Sequence, residues 1–367
     1  MSNIEINDKR SQSDFRAITF SKYQKTKVKK ELLQCLVSSK VEPACHWSAE
    51  FICSGHFIDL WEIIIYFISK YLHLGNPLLP SYIVHRIENF KNIMSNGYVG
   101  NELSLRNNPN IRTLFAELIS TLCLSRKSHV FEPVKIKKED EFNMSHMSTR
   151  LKAPNITYSA NIFRNSDPTE LLIAINEFSY NISNDGKNSF NACYWLEWII
   201  EYDIICKKNK EPIQIERRDW APVDPKYQMD PIWLIWGSIL EYVKIKNCKI
   251  TEKIINALLG MFCLRFTPGV RKRRRFLVYF AISLLTEPVN YKIPIWSNKD
   301  TIQTITKKID VIYQEIKKNE EKPATDYLFS GVEKSNLDKT IERLEMMNNA
   351  IMPKNIIINN NDMNENV

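Results

Sequence analysis

Glycine is scarce in this chain: nine occur in 367 positions, about 2.5% against a usual ~7%. Glycine serves wherever the backbone must take φ > 0 or come close to a phosphate. Doubly wound nucleotide folds and β folds with many hairpins are therefore disfavoured. What the sequence offers instead is apolar spacing of helical period. In 108–124, Ile111, Leu114, Phe115, Leu118, Ile119 and Leu122 follow i, i+3, i+4, i+7, i+8 and i+11, one face of a helix. Leu32, Leu33, Leu36 and Val37 form a shorter stripe. Similar patterns predict helices over 42–54, 57–73 and 80–96, broken at Gly55, at Gly75-Asn76-Pro77 and at Gly97. Asp167 reads as an N-cap with Pro168 in the first turn. Further helices follow near 168–183, 188–207, 231–246, 251–265, 271–286, 299–319 and 335–349. Strand signals are nearly missing. The expected fold is all-α, an irregular array or bundle of about twelve helices. Ala44-Cys45-His46-Trp47 returns as Ala192-Cys193-Tyr194-Trp195, an echo that leaves solenoid-like stacked pairs open beside chance in a biased composition.

The same pass divides the chain into a flexible arm (1–20), an N-terminal helical half (21–125) and a charged connection (126–155). A C-terminal helical half (156–290), a helical hairpin (291–350) and a disordered tail (351–367) complete it. No apolar secretory region precedes the first helix, and 231–243 and 276–285 are far short of the ~20 residues that span a bilayer. The eight cysteines sit mostly inside apolar helical runs with no C-x-x-C pair, which reads as reduced core thiols in an intracellular compartment. Isoleucine, asparagine and lysine are all abundant, a coding bias toward A and T.

Templates for chemistry fail on spacing. Gly186-Lys187 has Asn181 five positions before the glycine and Asn188 after the lysine, so no phosphate-cradling loop is present. There is no G-x-S-x-G, H-E-x-x-H or Glu-x-x-His. Cys45 and Cys53 stand about 12 Å apart along a helix, too far to share a zinc ion held at ~2.0–2.3 Å, and His46 and His56 do not rescue the set. No metal and no cofactor are expected. Glu50, Glu62, Glu177, Glu197 and Glu201 lie in apolar helices. They are open to two roles, as carboxyls of raised pKa for acid catalysis or as ion-pair partners across helix interfaces. The tryptophan pairs Trp195/Trp198 and Trp233/Trp236 have i, i+3 spacing and read as core.

The most informative local feature is Arg271, Lys272, Arg273, Arg274 and Arg275, directly before the apolar run FLVYFAISLL. Cations at a helix N-terminus oppose its dipole, at about 0.3–1 kcal/mol each. Three readings stay open: a solvated and neutralised face, a nucleic-acid or phosphate contact, and a nuclear address. Arg217-Arg218 and Arg126-Lys127, with Lys135, Lys137 and Lys138, are candidates to extend that face. Ile302, Ile305, Ile309, Ile312 and Ile316 alternate at three and four residues, a seam that either folds back on the body or meets a partner chain. Leu337, Ile341 and Leu344 form a shorter matching seam.

Ala44-Cys45-His46-Trp47-Ser48-Ala49-Glu50, Ser54-Gly55-His56, Leu60-Trp61, Ala174-Ile175-Asn176-Glu177-Phe178, Ala192-Cys193-Tyr194-Trp195, Lys272-Arg273-Arg274 and Asp326-Tyr327-Leu328-Phe329 together resemble a protein family of large DNA viruses of algae and protists. No activity is assigned to that family. The resemblance covers about 30–348 and implies a host-cytoplasmic or viral-factory setting, with the virion also open; it carries no catalytic residue. The functional expectation is a non-enzymatic scaffold or adaptor that binds other proteins, with a basic face for nucleic acid. The alternatives are a sequence-independent nucleic-acid-binding accessory factor in viral replication or transcription, and an enzyme of unrecognised type.

Overall fold

The structure is a computed structural model that describes residues 4–128, 132–136, 142, 147–296, 298–321 and 343–344. Among the described residues it is all-α, with one isolated bridge between Ile18 and Gln24 as its only β pairing. The helices are α1 (Lys25–Val37), α2 (Val41–Cys53), α3 (Phe57–Phe67), α4 (Leu79–Ser95), α5 (Pro109–Leu124), α6 (Leu172–Ile182), α7 (Ser189–Lys208), α8 (Ile232–Lys246), α9 (Lys249–Cys263), the single turn α10 (Val270–Arg273), α11 (Arg275–Thr286) and α12 (Lys299–Lys317). Asparagine begins several of them. Asn108 accepts from Asn110 N–H at 2.8 Å, Asn188 from Asn191 N–H at 2.9 Å and Asn298 from Thr301 N–H at 3.0 Å, each satisfying an otherwise unpaired donor of a first turn.

Helices α1, α2 and α5 pack on one another, and α12 returns from the far end of the chain to lie on α5 and α2. Helices α6, α7, α8 and α9 surround α11, which also touches α3. Every residue from Phe276 to Leu285 of α11 is buried, because an element walled on all sides must be apolar all round. Helix α9 reaches across to α4. One contiguous cluster of buried apolar side chains runs from Ile6 to Ile316 through both halves, so the connection at 126–155 does not separate two cores.

Three expectations need correction. Residues 4–20 are not a loose arm: Ile6, Phe15 and Phe20 are buried. Arg10 is the cause, since it binds Asp8 (2.6 Å), donates to Phe20 O (2.9 Å) and stacks over the Phe15 and Phe20 rings (4.8 and 4.7 Å). Helix α6 starts at Leu172 rather than at Pro168, because Asp167 does not cap it; that carboxylate binds Arg218 and accepts from the Arg164 and Glu216 N–H groups (2.8 and 2.9 Å). The helix expected at 271–286 is broken at Arg274, whose φ of −105° and ψ of 15° leave the helical region. The second helix of the C-terminal hairpin, at 335–349, and the tail at 351–367 lie outside the described residues apart from Arg343 and Leu344.

The expected break at Gly75 is real and sterically required: a Cβ there would stand 2.5 Å from Arg126 O. Just before it, a π turn (Ile68–Leu72) delivers His73 at φ 43°, buried and stacked on Phe280 at 4.5 Å. Burial pushes the His73 pKa down to about 3, and burial also lowers that of His46 despite Glu50 and Glu315 nearby. An unfolded chain takes up protons on both imidazoles below about pH 6.5, where the native state does not. Their contribution to stability is thus complete above that pH and drains as pH falls, by up to about 1.4 kcal/mol per pH unit for each histidine. Urea unfolding between pH 7 and 4 should show this slope, and His73→Asn, which tolerates the positive φ, should make it shallower. An unchanged slope in the variant would contradict the buried neutral imidazole.

Candidate functional site

Helix α7 is apolar at most positions and carries its acids at Glu197, Glu201 and Asp203. The basic run lies against it in the opposite direction. Arg275 Nη1 meets Glu197 Oε2 at 2.8 Å, Lys272 Nζ meets Glu201 Oε1 at 2.6 Å and Arg271 Nη2 meets Asp203 Oδ2 at 2.5 Å. Arg271 also reaches Asp230 at 3.0 Å, and Lys207 shares Asp203 Oδ2 at 2.8 Å. Arg274 points the other way. It binds Glu62 Oε1 of α3 at 2.5 Å and donates to the carbonyls of Leu264 (2.6 Å), Phe262 (2.9 Å) and Met261 (3.1 Å) at the end of α9.

The five cations are thus not one anion-binding face. Arg271 and Arg274 are each 5% exposed, Arg275 is half-buried, and only Lys272 and Arg273 are exposed. The physical reason is the facing acids: they neutralise the run where the helix dipole alone would repel it. Of the candidates to extend it, Arg126 and Lys135 are exposed, whereas the others are engaged within the protein or undescribed. Arg218 is buried against Asp167, Arg217 meets Asp219 at 2.6 Å, and Lys127 donates to Ser39 Oγ at 2.6 Å and to Cys123 O. Lys137 and Lys138 lie outside the described residues.

The carboxylates considered for acid catalysis are all engaged. Glu62, Glu197 and Glu201 hold the cations above. Glu177 accepts from the Lys152 and Ala153 N–H groups at 3.0 and 2.9 Å, fixing the end of the connection. Glu50 accepts from Ser21 N–H (3.0 Å) and Ser21 Oγ (2.5 Å), one turn of α2 beyond His46. Glu50, Ser21 and His46 are all buried, and the hydroxyl donates to the carboxylate beneath the N-terminal segment. Burial raises the pKa of Glu197, against Arg275 and the Tyr279 hydroxyl, and burial raises that of Asp230 against Arg271.

The isoleucine seam does not face a partner. Ile302, Ile309, Ile312 and Ile316 are buried and Ile305 partly so, on the apolar faces of α5 and α2. Arg112 fastens the contact by meeting Asp310 at 3.2 Å and lying 4.4 Å over the Tyr313 ring. Leu337 and Ile341 lie outside the described residues. The metal question at the N-terminus resolves into separate contacts: Cys45 Sγ lies 3.7 Å from Ser120 Oγ, and His56 Nε2 lies 3.0 Å from Ile18 O. Trp195, Trp198, Trp233 and Trp236 are buried core.

Sequence reading missed Asp203 and Asp230, the partners of Arg271. The available signal was order: acids at 197, 201 and 203 on one helix match cations at 275, 272 and 271 read backwards. It also missed two surface concavities. One is a cleft of about 470 Å³ between α8 and α9, edged by Trp220, Glu241 and Glu252. The other is a groove of about 590 Å³ between α4 and α9. No family model, curated protein or solved structure matches the chain. Among the described residues no helix is long and apolar enough to cross a membrane.

Two outcomes follow from these placements. Arg271→Ala leaves two buried aspartates with Lys207 as the remaining cation, and should cost about 3–5 kcal/mol in urea unfolding; Arg273→Ala, on the exposed side, should stay within about 0.5 kcal/mol. Equal effects would refute the division of the run into inward and outward charges. Among the thiols, Cys248 stands at the N-cap position of α9, where the nearby Thr251 hydroxyl and the Thr251 and Ile250 N–H groups favour the thiolate and lower its pKa. Burial raises Cys35 to about 11 and Cys45 to about 12. Iodoacetamide near neutral pH should therefore label Cys248 first, by peptide mass spectrometry. Early labelling of Cys45 in folded protein would show the core assignment to be wrong.

Proposed function

We propose that the chain is a non-enzymatic scaffold or adaptor that binds other proteins, in the setting of a large DNA virus that the sequence resemblance implies. The observation that carries the reading is the use of its charged groups. Each carboxylate with the burial that suits acid catalysis is committed to holding one segment against another, so the buried polar chemistry is structural. Rigid placement of helices around α11, with grooves left at the surface, suits a body that presents faces to partners.

Nucleic-acid contact is the second reading, and it is narrower than the five-residue run. The cations available to phosphate are Lys272 and Arg273, with Lys207, Lys208 and Lys210 at the neighbouring end of α7; of these Lys272 and Lys207 already meet carboxylates. As an accessory factor the protein would bind without sequence preference and with strong salt dependence.

Affinity purification of the full chain, with and without nuclease, separates the two. The scaffold reading expects stoichiometric protein partners that survive nuclease. Loss of every partner on nuclease treatment, together with gel shifts weakened by Lys208→Glu/Lys210→Glu/Arg273→Glu, would replace it with the accessory-factor reading. In the gel shift each lost phosphate contact should reduce the slope of log K against log salt by about 0.9 on duplex DNA.

A further inference from the structure

The groove between α4 and α9 arises because α9 crosses α4 and its first turn runs past the contact. Ile254 is buried at the crossing, whereas Ile250, one turn earlier on the same face, is 49% exposed. Leu78 and Tyr82 form the α4 wall, and Tyr291 and Ile295 close the third side. Trp296 packs edge-on against Tyr82 at 6.1 Å and remains 37% exposed. Ser81 also borders the groove, and its hydroxyl, shielded from solvent, has no hydrogen-bond partner among the described residues.

The rim is cationic. Lys249 and Lys253 flank Ile250 on α9, and Lys299 lies 5.8 Å over the Trp296 ring; the His85 imidazole on α4 also borders the groove. Among the described residues no carboxylate lines the groove, and Glu88 meets His85 at 3.8 Å. This contrasts with the basic run, whose facing helix supplies an acid to most of its members. Apolar floor, cationic edge and helical walls without a free strand edge select one form of recognition. A partner cannot add a strand here, so it must insert side chains, and the ridge of an amphipathic helix fits a trough between two helices.

We propose that the α4/α9 groove is a docking site for an amphipathic helix of a partner protein, with apolar anchors at i, i+3/i+4 and i+7 flanked by Asp or Glu that meet Lys249 and Lys253. The proposal rests on the scaffold reading and names the partner chemistry of one face. Burying an aliphatic or aromatic anchor beside Ile250 and Trp296 supplies the affinity, and the charges set orientation and reject basic helices.

The test is a display selection on the immobilised full chain from a library of 16-residue amphipathic helices, with apolar, acidic, basic and neutral residues allowed at the flanking positions. Enriched peptides are then measured by fluorescence anisotropy against wild type, Ile250→Asp and Lys249→Glu/Lys253→Glu. The proposal expects acidic flanks in the selected pool, at least a 10-fold loss of affinity in each variant, and weakening as salt rises. The altered residues are exposed or on the rim, and thermal melts check that the variants remain folded; the lysine pair keeps the test valid if Ile250→Asp melts early. Selection of neutral or basic helices, affinities unchanged in the variants, or no binder at all would each overturn the proposal. So would a dimer in sedimentation that Ile250→Asp abolishes, which assigns the groove to a second copy of the chain. Should the selection fail while nuclease-resistant partners are still retained, the scaffold reading stands and only the groove is lost; failure of both removes the reading itself.

Discussion

The guanidinium of Arg274 joins three segments: the last carbonyls of α9, the Glu62 carboxylate of α3 and the start of α11. An α-helix ends with four carbonyls that its own N–H groups cannot reach. At the surface water serves them, but inside a packed array another donor is needed. This chain repeatedly supplies a cation from a different element. Lys246 donates to Leu284 O at 2.7 Å at the end of α11, and Arg106 to Cys53 O at 3.3 Å at the end of α2. A cap borrowed in this way ties the end of one helix to the position of another. The central placement of α11 therefore depends on charged side chains as much as on its own apolar surface.

The shortage of glycine has a different consequence from the one it first implies. Tight reversals are not avoided; other residues make them. Ser39 (φ 58°), Lys210 (φ 65°), Asn247 (φ 50°) and Arg265 (φ 46°) take left-handed conformations at the ends of α1, α7, α8 and α9, where glycine is usual. Gly55 and Gly97 fill that role after α2 and α4. A non-glycine residue in this region costs roughly 1–2 kcal/mol, less for asparagine. Such strain persists only where surrounding contacts determine the path. Cationic caps and a continuous core supply those contacts here, for example at Arg265, between the α9 carbonyls held by Arg274 and the buried Phe266.

Helix existence was legible from the chain because it depends on apolar spacing over a few turns, and the breaks at Gly55, Gly75 and Gly97 fell where local chemistry places them. The failures share one cause, a partner far away in sequence. Nothing near Asp167 announces that Arg218 will claim its carboxylate, nor does anything near Arg274 announce Glu62. The N-terminal segment looked unanchored because Arg10 works against carbonyls at Phe20 and, at 3.2 Å, Asn319. The isoleucine spacing of α12 marks an apolar face, yet the same pattern serves an internal face and an external one. Only the return of α12 onto α5 and α2 separates them.

Charge runs require the same separation. Arg271 to Arg275 and the Lys249/Lys253 rim look alike in composition, each a set of cations beside apolar residues. Counter-ions distinguish them. The first set faces a helix whose acids meet it in reverse order, so most of its field is cancelled within the protein and its buried guanidiniums become fasteners. The second borders a lining that holds no acid among the described residues, so its field extends into the solvent above an apolar floor. Desolvating an already paired arginine for a partner would sacrifice an internal contact, whereas an unpaired lysine at a rim gains one. On that ground the longest basic run in the chain is the weaker candidate for recognition, and two lysines beside Ile250 are the stronger.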